Sequence, residues 1–317
     1  MGTKRHGPKR GSRAFWHRKR AKRTIPRLNT WPNAGKGLQA FPGYKVGMSM
    51  VSLVSESESA FKGQEVARAI TLVETPPVFV YSIVFYERDD YGLKPAGEVV
   101  AIELSKDLRK HFKGAKKANK KIEDFPEPAD VRLHVLAQPF KAGLPMKRAQ
   151  LVEIGLGGSI QEKIEYAKGV LGKEVAVNDV VQEGGFLDVT AVTKGHGWTG
   201  IVKRFGVSLN IRKATQKRRH GGSIGPERQA KVMYTIPRAG QYGYHRRTEQ
   251  LKRALRIGSE PTIAFKNYGH PKTAYVVVEG SVPGPAKRFV LLRKPMSGKK
   301  PKPTQIREEL FLSGEKQ

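Results

Sequence analysis

Two glycine-rich runs have the spacing of known reactive sites. Gly195-His196-Gly197-Trp198-Thr199-Gly200 matches G-x-G-x-x-G and directly follows an expected strand, Phe186 to Thr193, the setting in which a helix N-terminus receives a pyrophosphate. A dinucleotide fold then requires an amphipathic helix and, about 20 residues on, a carboxylate for the ribose. This chain places Lys217-Arg218-Arg219-His220 there and has no carboxylate before Glu227. Gly221-Gly222-Ser223-Ile224-Gly225 matches G-x-S-x-G, a nucleophile elbow that must join a buried strand to a helix. Here four basic residues precede it and Pro226-Glu227-Arg228-Gln229 follow, so it reads as a turn at a loop tip, with a Ser223 hydrolase as a minor alternative. The eight histidines show no metal-ligand spacing, no P-loop is present, and the absence of cysteine removes thiolate metal sites, thiol nucleophiles and disulfides. No catalytic residue, metal or cofactor is expected.

The chemistry that remains is cationic. Of 317 residues, 59 are Lys or Arg against 28 Asp or Glu, a formal charge of +31, and such a chain seeks polyanions. The charge is localised. Residues 1–55 hold thirteen basic and no acidic side chains, and residues 194–256 hold sixteen basic against Glu227 and Glu249, so these segments carry 27 of the 31 net charges. The N-terminal arm interleaves Phe15, Trp16, Trp31 and Phe41 with its cations and has no period that would bury a face, so it is expected to order along a phosphate backbone with aromatics stacking on bases. The second segment is a 63-residue excursion with nine glycines, too long for a passive loop in a compact domain. Glycine permits close backbone approach, arginine forks onto phosphate, and Phe205, Tyr242 and Tyr244 offer flat faces. That combination points to folded RNA. Sequence-specific DNA binding would ask for a recognition helix or a zinc finger.

The elements that must carry these arms read mainly as β. Val46–Val54, Val66–Val73, Val78–Tyr86, Val99–Leu104 and Val131–Ala137 are short runs rich in valine, isoleucine and aromatics, and Thr262–Phe265, Thr273–Val278 and Arg288–Leu292 resume the pattern. Their spacing favours a barrel or sandwich over a parallel sheet. Two helices interrupt the strands. Ser159 to Leu171 opens with a Ser159/Glu162 capping box and stops at Gly172, and Leu104 to Lys121 reads as a very basic helix that serves either as a solvated face or as an RNA contact. No run approaches the length of a spanning helix, and the basic N-terminus lacks an apolar export core.

Four motifs in order resemble one family. Arg18-Lys19-Arg20-Ala21-Lys22, Phe41-Pro42-Gly43-Tyr44-Lys45-Val46-Gly47-Met48, Thr193-Lys194-Gly195-His196-Gly197-Trp198-Thr199-Gly200 with Val202-Lys203-Arg204-Phe205, and Arg238-Ala239-Gly240-Gln241-Tyr242-Gly243-Tyr244-His245-Arg246-Arg247-Thr248-Glu249 are similar to the signature segments of ribosomal protein L three, in its archaeal and eukaryotic type. The resemblance covers nearly the whole chain. It implies a translation-factor-like β-barrel body with an inserted helical region and α/β elaborations, a long basic N-terminal extension and a central finger loop. The expected division is an arm at 1–40, a body at 41–193, the finger at 194–256, and return strands with a basic tail at 257–317. It further implies binding to large-subunit rRNA and contact with neighbouring large-subunit proteins, with no membrane and no small-molecule substrate. Early subunit assembly, a place near the peptidyl transferase centre and a cytoplasmic, ribosome-bound location follow from the same resemblance. Many members place a tryptophan at the finger tip after a Gly-Pro or Gly-Ala step, whereas Gly225-Pro226 is followed here by Glu227.

The residues expected to meet RNA are, in the arm, Arg10, Arg13, Trp16, Arg18, Lys19, Arg20, Lys22, Arg23 and Arg27. In the finger they are Lys194, His196, Trp198, Lys203, Arg204, Lys213, Lys217, Arg218, Arg219, His220, Gly222, Arg228, Arg238, Gln241, Tyr244, His245, Arg246 and Arg247. Trp198 admits a second reading, as a cap on the core. A basic chromatin or DNA-compaction protein would explain the charge but not the glycine-rich excursion.

Overall fold

The computed structural model describes residues 19–33, 35–54, 60, 62–114, 120–213, 217–225, 230–259, 264–297 and 306–308. The chain divides into two compact units, Met1–Lys22 with Thr193–Arg246, and Arg23–Val192 with Arg247–Gln317. In chain order the strands and helices are β1 (Gly37–Leu38), β2 (Ala40–Val54), β3 (Glu65–Glu74), β4 (Val78–Asp89), β5 (Gly92–Val100), α1 (Lys106–His111), β6 (Asp130–Ala137), β7 (Gln150–Gly157), α2 (Ile160–Val170), β8 (Glu174–Val175) and β9 (Phe186–Val192). There follow β10 (Gly195–Thr199), α3 (Ile201–Phe205), β11 (Gly240–Gly243), β12 (Arg246–Gly258), β13 (Tyr275–Glu279), β14 (Phe289–Arg293) and β15 (Ile306–Glu308). The protein is mainly β, as its composition of short valine-rich runs predicts.

The larger unit holds two antiparallel sheets. One runs β1-β7-β6-β4-β5, with β8 beside β4; in the other, β14-β9-β12-β13-β3-β2-β15, strand β14 also pairs with β2, so the path of pairing returns on itself through six strands. Strand β4 explains the longest apolar run of the sequence. Val78 to Tyr86 are all buried, because alternate residues enter different clusters: Val78, Val80, Ile83 and Phe85 join the main core, while Phe79 and Tyr81 pack with Leu108 of α1 and Leu136. A strand covered on both faces has no polar side to display.

Several expected boundaries move. The strand expected at Val99–Leu104 is β5, which starts at Gly92 and ends at Val100. It pairs with β4 from Asp89↔Gly92 to Ser82↔Val100 through a bulge at Phe85/Tyr86, and an edge strand with a bulge tolerates the Pro95 and Gly97 that read as breakers. The basic helix expected over Leu104–Lys121 is six residues long. Ser105 caps it by accepting the Leu108 N–H at 3.3 Å; Phe112 then becomes extended and sets its ring edge-on to Tyr81, 4.9 Å away. Residues 115–119 of that stretch, like Thr262 and Ile263 of another expected strand, lie outside the described residues, and Phe265 makes a single bridge to Gly269. Strand β7 was not anticipated. By contrast α2 forms as its capping box requires, with the Ser159 N–H donating to Glu162 at 2.9 Å and Gly172 at φ +75° after its end.

Of the aromatics read with the arm, Phe41, which opens the expected body at 41–193, and Trp31 both pack in the larger unit. Phe41 is fully buried. Trp31 packs on the main core in a slot left by Gly155, where a Cβ would come within 2.3 Å of the indole. Residues 247–256, grouped with the finger on sequence, lie in β12, which pairs with β13. One buried carboxylate ties this region together: Asp188 on β9, 1% exposed, accepts from Arg293 of β14 at 2.8 Å and from the backbone N–H groups of Leu251 and Met296. Removing one partner of a buried pair strands the other's charge. Asp188→Ala is therefore expected to destabilise this unit by about 3–5 kcal/mol, measured by urea unfolding; a change below about 0.5 kcal/mol would show that Asp188 does not hold these strands.

Candidate nucleic-acid interface

The smaller unit is built on a backbone joint. Where the chain leaves β9, the Thr193 N–H donates to the His245 carbonyl at 3.0 Å and the Lys194 carbonyl accepts the Tyr244 N–H at 3.0 Å. Beyond this joint β10 and β11 pair antiparallel, Gly195 opposite Gly243 and Thr199 opposite Gly240, with a register shift at Gly197, whose φ is +65°. Gly243 is dictated by geometry. Its φ is +75°, and a Cβ there would lie 1.9 Å from the Lys194 oxygen. Tyr244 follows at φ +54°, an uncommon conformation for a non-glycine residue and a form of strain found at functional sites.

The end of the basic arm is strapped to this joint. The Ala21 N–H donates to the Tyr244 carbonyl at 2.8 Å, and buried His245 donates from Nδ1 to the Lys19 carbonyl at 3.0 Å. His245, expected as a hydrogen-bonding loop residue that also meets RNA, holds the arm through this bond. Because the strap uses main-chain groups, the side chains of Lys19, Arg20 and Lys22 stay exposed. Together with Gly195, Gly197, Gln241 and Tyr244, residues 20–22 line an open cavity of about 490 Å³.

Arg204 also departs from expectation. It sits on α3, which runs from Gly200 to a left-handed stop at Gly206 (φ +66°). Its guanidinium donates to the Arg238 carbonyl at 2.8 Å and the Gln241 carbonyl at 3.2 Å and lies 5.0 Å above the Phe205 ring. Burial pushes its pKa down, yet a guanidinium remains charged. This cation binds carbonyls and holds α3 to β11. His196 is likewise engaged, stacked on Tyr242 at 5.0 Å. Trp198, by contrast, is 78% exposed, which overturns its reading as a core cap.

The remaining finger cations face outward. Asn210 bridges the loop, its N–H on the Arg218 carbonyl at 3.0 Å and its amide on the Lys217 carbonyl at 3.3 Å. Lys194, Lys203, Lys213, Lys217, Arg218, Arg219, His220 and Arg238 are exposed. At Gly222, φ is +59° and a Cβ would meet nothing within 4 Å. The Ser223 hydroxyl donates to the Gly225 carbonyl on an exposed loop, with no elbow between buried strand and helix, so the hydrolase reading fails. Arg246 is exposed and Arg247 half-buried at the start of β12; Arg23 and Arg27 are exposed in the larger unit, Arg27 lying 3.6 Å from Glu153. Arg10, Arg13, Trp16, Arg18, Arg228, Pro226 and Glu227 lie outside the described residues. Among the described residues no His, Asp or Glu cluster could hold a metal, and no helix is long and apolar enough to cross a membrane.

Sequence reasoning missed an apolar surface. Besides Trp198, the unit exposes Leu209, Ile211, Ile224, Val232, Met233 and Tyr234, Ile211 at 80%. They follow no helical or strand period, so no pattern announced them.

Comparison with known proteins places these features in a family context. The family model for ribosomal protein L3 matches residues 1–312. A large ribosomal subunit protein uL3 of Methanococcus maripaludis is 45% identical over 308 residues, covering 92% of each chain. Proteins of the same name from Methanothermobacter thermautotrophicus and Methanocaldococcus jannaschii are 42% and 43% identical, covering 96% and 95% of each chain.

The joint generates a direct test. Gly243→Ala combines a forbidden contact with an unfavourable φ, a cost exceeding about 1 kcal/mol. Limited proteolysis should then cut within 193–246 faster than in the wild type, while the cooperative melt of the larger unit is unchanged. Wild-type cleavage rates would mean that the joint tolerates the methyl group.

Proposed function

The chain belongs to the ribosomal protein L3 family, and on that premise we propose that it is a non-enzymatic structural constituent of the large ribosomal subunit that binds large-subunit rRNA through its smaller unit. The observation that carries the reading is the union, in that unit, of an outward-facing set of cations, exposed Trp198 and a glycine-built backbone joint. Phosphate contacts would supply affinity; close backbone approach and stacking would supply fit. A compact DNA duplex offers little to such a surface, and among the described residues no recognition helix is presented to one.

In this reading the closed six-strand path is the translation-factor-like barrel of the family, residues 1–40 are the arm, and the excursion after β9 is the finger that approaches the peptidyl transferase region. Neighbouring large-subunit proteins complete its surroundings, and binding comes early in subunit assembly. The protein should co-sediment with large subunits after a high-salt wash; loss in the wash would refute a structural role. If the arm and finger neutralise on the order of ten phosphates, log affinity for rRNA falls by roughly 0.7–0.9 per phosphate for each log unit of salt. Deleting residues 1–27 should flatten that slope, whereas lower affinity at an unchanged slope would assign the arm to stacking.

The finger tip yields a further contrast. Gly222 at positive φ, in open space within the chain, is suited to close approach by RNA. Gly222→Val is expected to reduce subunit yield or peptide-bond formation more than Glu227→Gln, which removes charge but keeps shape. Equal wild-type behaviour of both variants would retire the close-approach role.

A further inference from the structure

The cavity beside the joint has the chemistry of a site for one unstacked nucleotide. One wall is the strapped segment 20–22, fixed by its Ala21 N–H on the Tyr244 carbonyl; the other is the glycine face of β10, Gly195 and Gly197, with Gln241 and Tyr244 completing the lining. Two cations, Arg20 and Lys22, line it, and among the described residues no carboxylate does, which selects an anion. Its volume, about 490 Å³, falls in the usual range of small-molecule pockets, roughly 300–1,000 Å³, far more than a lone phosphate fills. The lining also offers what a phosphate would leave unused. Gln241 spends one Nε2–H on the Gly243 carbonyl at 3.0 Å, which sets its amide beside the cavity, and its amide oxygen and second N–H are the groups able to pair with a base edge; Tyr244 brings a ring held against bare backbone, since a Cβ on Gly195 would lie 3.4 Å from Tyr244 Cβ and 3.7 Å from its ring. At Gly197 a Cβ would meet nothing within 4 Å among the described residues.

We propose that this cavity receives a single extruded rRNA nucleotide, with Arg20 and Lys22 on its phosphates and Gln241 and Tyr244 on its base. The ligand this lining fits is a base from a bulge, loop or junction, where RNA bases are free to splay out and offer both an edge and a face. The positive φ of Tyr244 then has a use. It turns the residue so that one peptide group holds the strap while the side chain lines the cavity.

This inference rests on the rRNA reading above, and its test separates the two. The full chain is bound to its large-subunit rRNA, and Watson–Crick edges are probed with dimethyl sulfate and a carbodiimide. The wild type should shield one nucleotide that Gln241→Leu and Gly195→Val each re-expose, with roughly tenfold weaker binding, the effect of losing one stacked base, at an unchanged salt slope. Both variants are checked for wild-type melting and protease resistance, so that a failure of Gly195→Val to fold leaves Gln241→Leu to decide. Identical footprints in wild type and variants would overturn the proposal. So would variants that lower the salt slope without exposing a base, because the cavity would then hold phosphate alone. Failure of the wild type to bind rRNA would instead refute the functional reading itself.

Discussion

The Lys194 carbonyl is the point on which the smaller unit depends. It accepts the Tyr244 N–H, and it sits where any side chain on Gly243 would have to be. A segment of some fifty residues with few buried apolar side chains cannot define its own path by hydrophobic burial. It is defined instead by main-chain hydrogen bonds made where it begins and ends. The same peptide groups hold the arm, because the Tyr244 carbonyl takes the Ala21 N–H. Glycine at 243 is thus a condition for the joint, the strap and the cavity together.

The two units are stabilised by different physics. In the larger one, long clusters of valine, leucine and aromatic side chains are excluded from water, and buried charges are hydrogen-bonded, Asp188 to Arg293 and Glu74 to the Tyr268 hydroxyl and the Lys272 and Thr273 N–H groups. In the smaller one the side chains are mostly exposed, and order comes from carbonyl and amide groups, aided by one desolvated cation. Arg204 gives up hydration to bind two carbonyls. Backbone is thereby fixed with a side chain that costs no carboxylate, so the unit keeps the charge excess that draws it to a polyanion.

This difference decides what could be read from the sequence. Strands β2, β3, β4, β6, β13 and β14 were legible because water-excluding runs are bounded by turn residues, and α2 because a capping box is a local signal. Strand β5 was misplaced since Pro95 and Gly97 look like breakers unless the bulge between them is known, and Trp31 was assigned to the arm because nothing in sequence reveals the slot at Gly155. In the smaller unit, residue types carried the expectation of a polyanionic ligand but not the internal pairings: Arg204 and His245 look like phosphate ligands on paper, and only the fold shows that both bind carbonyls far off in the chain. Pairings of that kind are invisible without the fold. The exposed aliphatic side chains were equally hidden, having no period to betray them.

Those aliphatic side chains constrain what the cationic surface is for. A surface that served only to neutralise phosphates would be covered by lysine and arginine, and exposing Leu209, Ile211 and Val232 would bring it nothing. Apolar groups gain by leaving water, and in folded RNA the places that accept them are base faces and the recesses between unstacked bases. Long-range attraction brings such a surface to RNA of any shape, whereas these short-range contacts form only where bases are exposed at matching positions. On the proposed reading, such a surface would combine a general affinity, set by charge and weakened by salt, with a shape requirement, set by uncharged groups that salt does not screen.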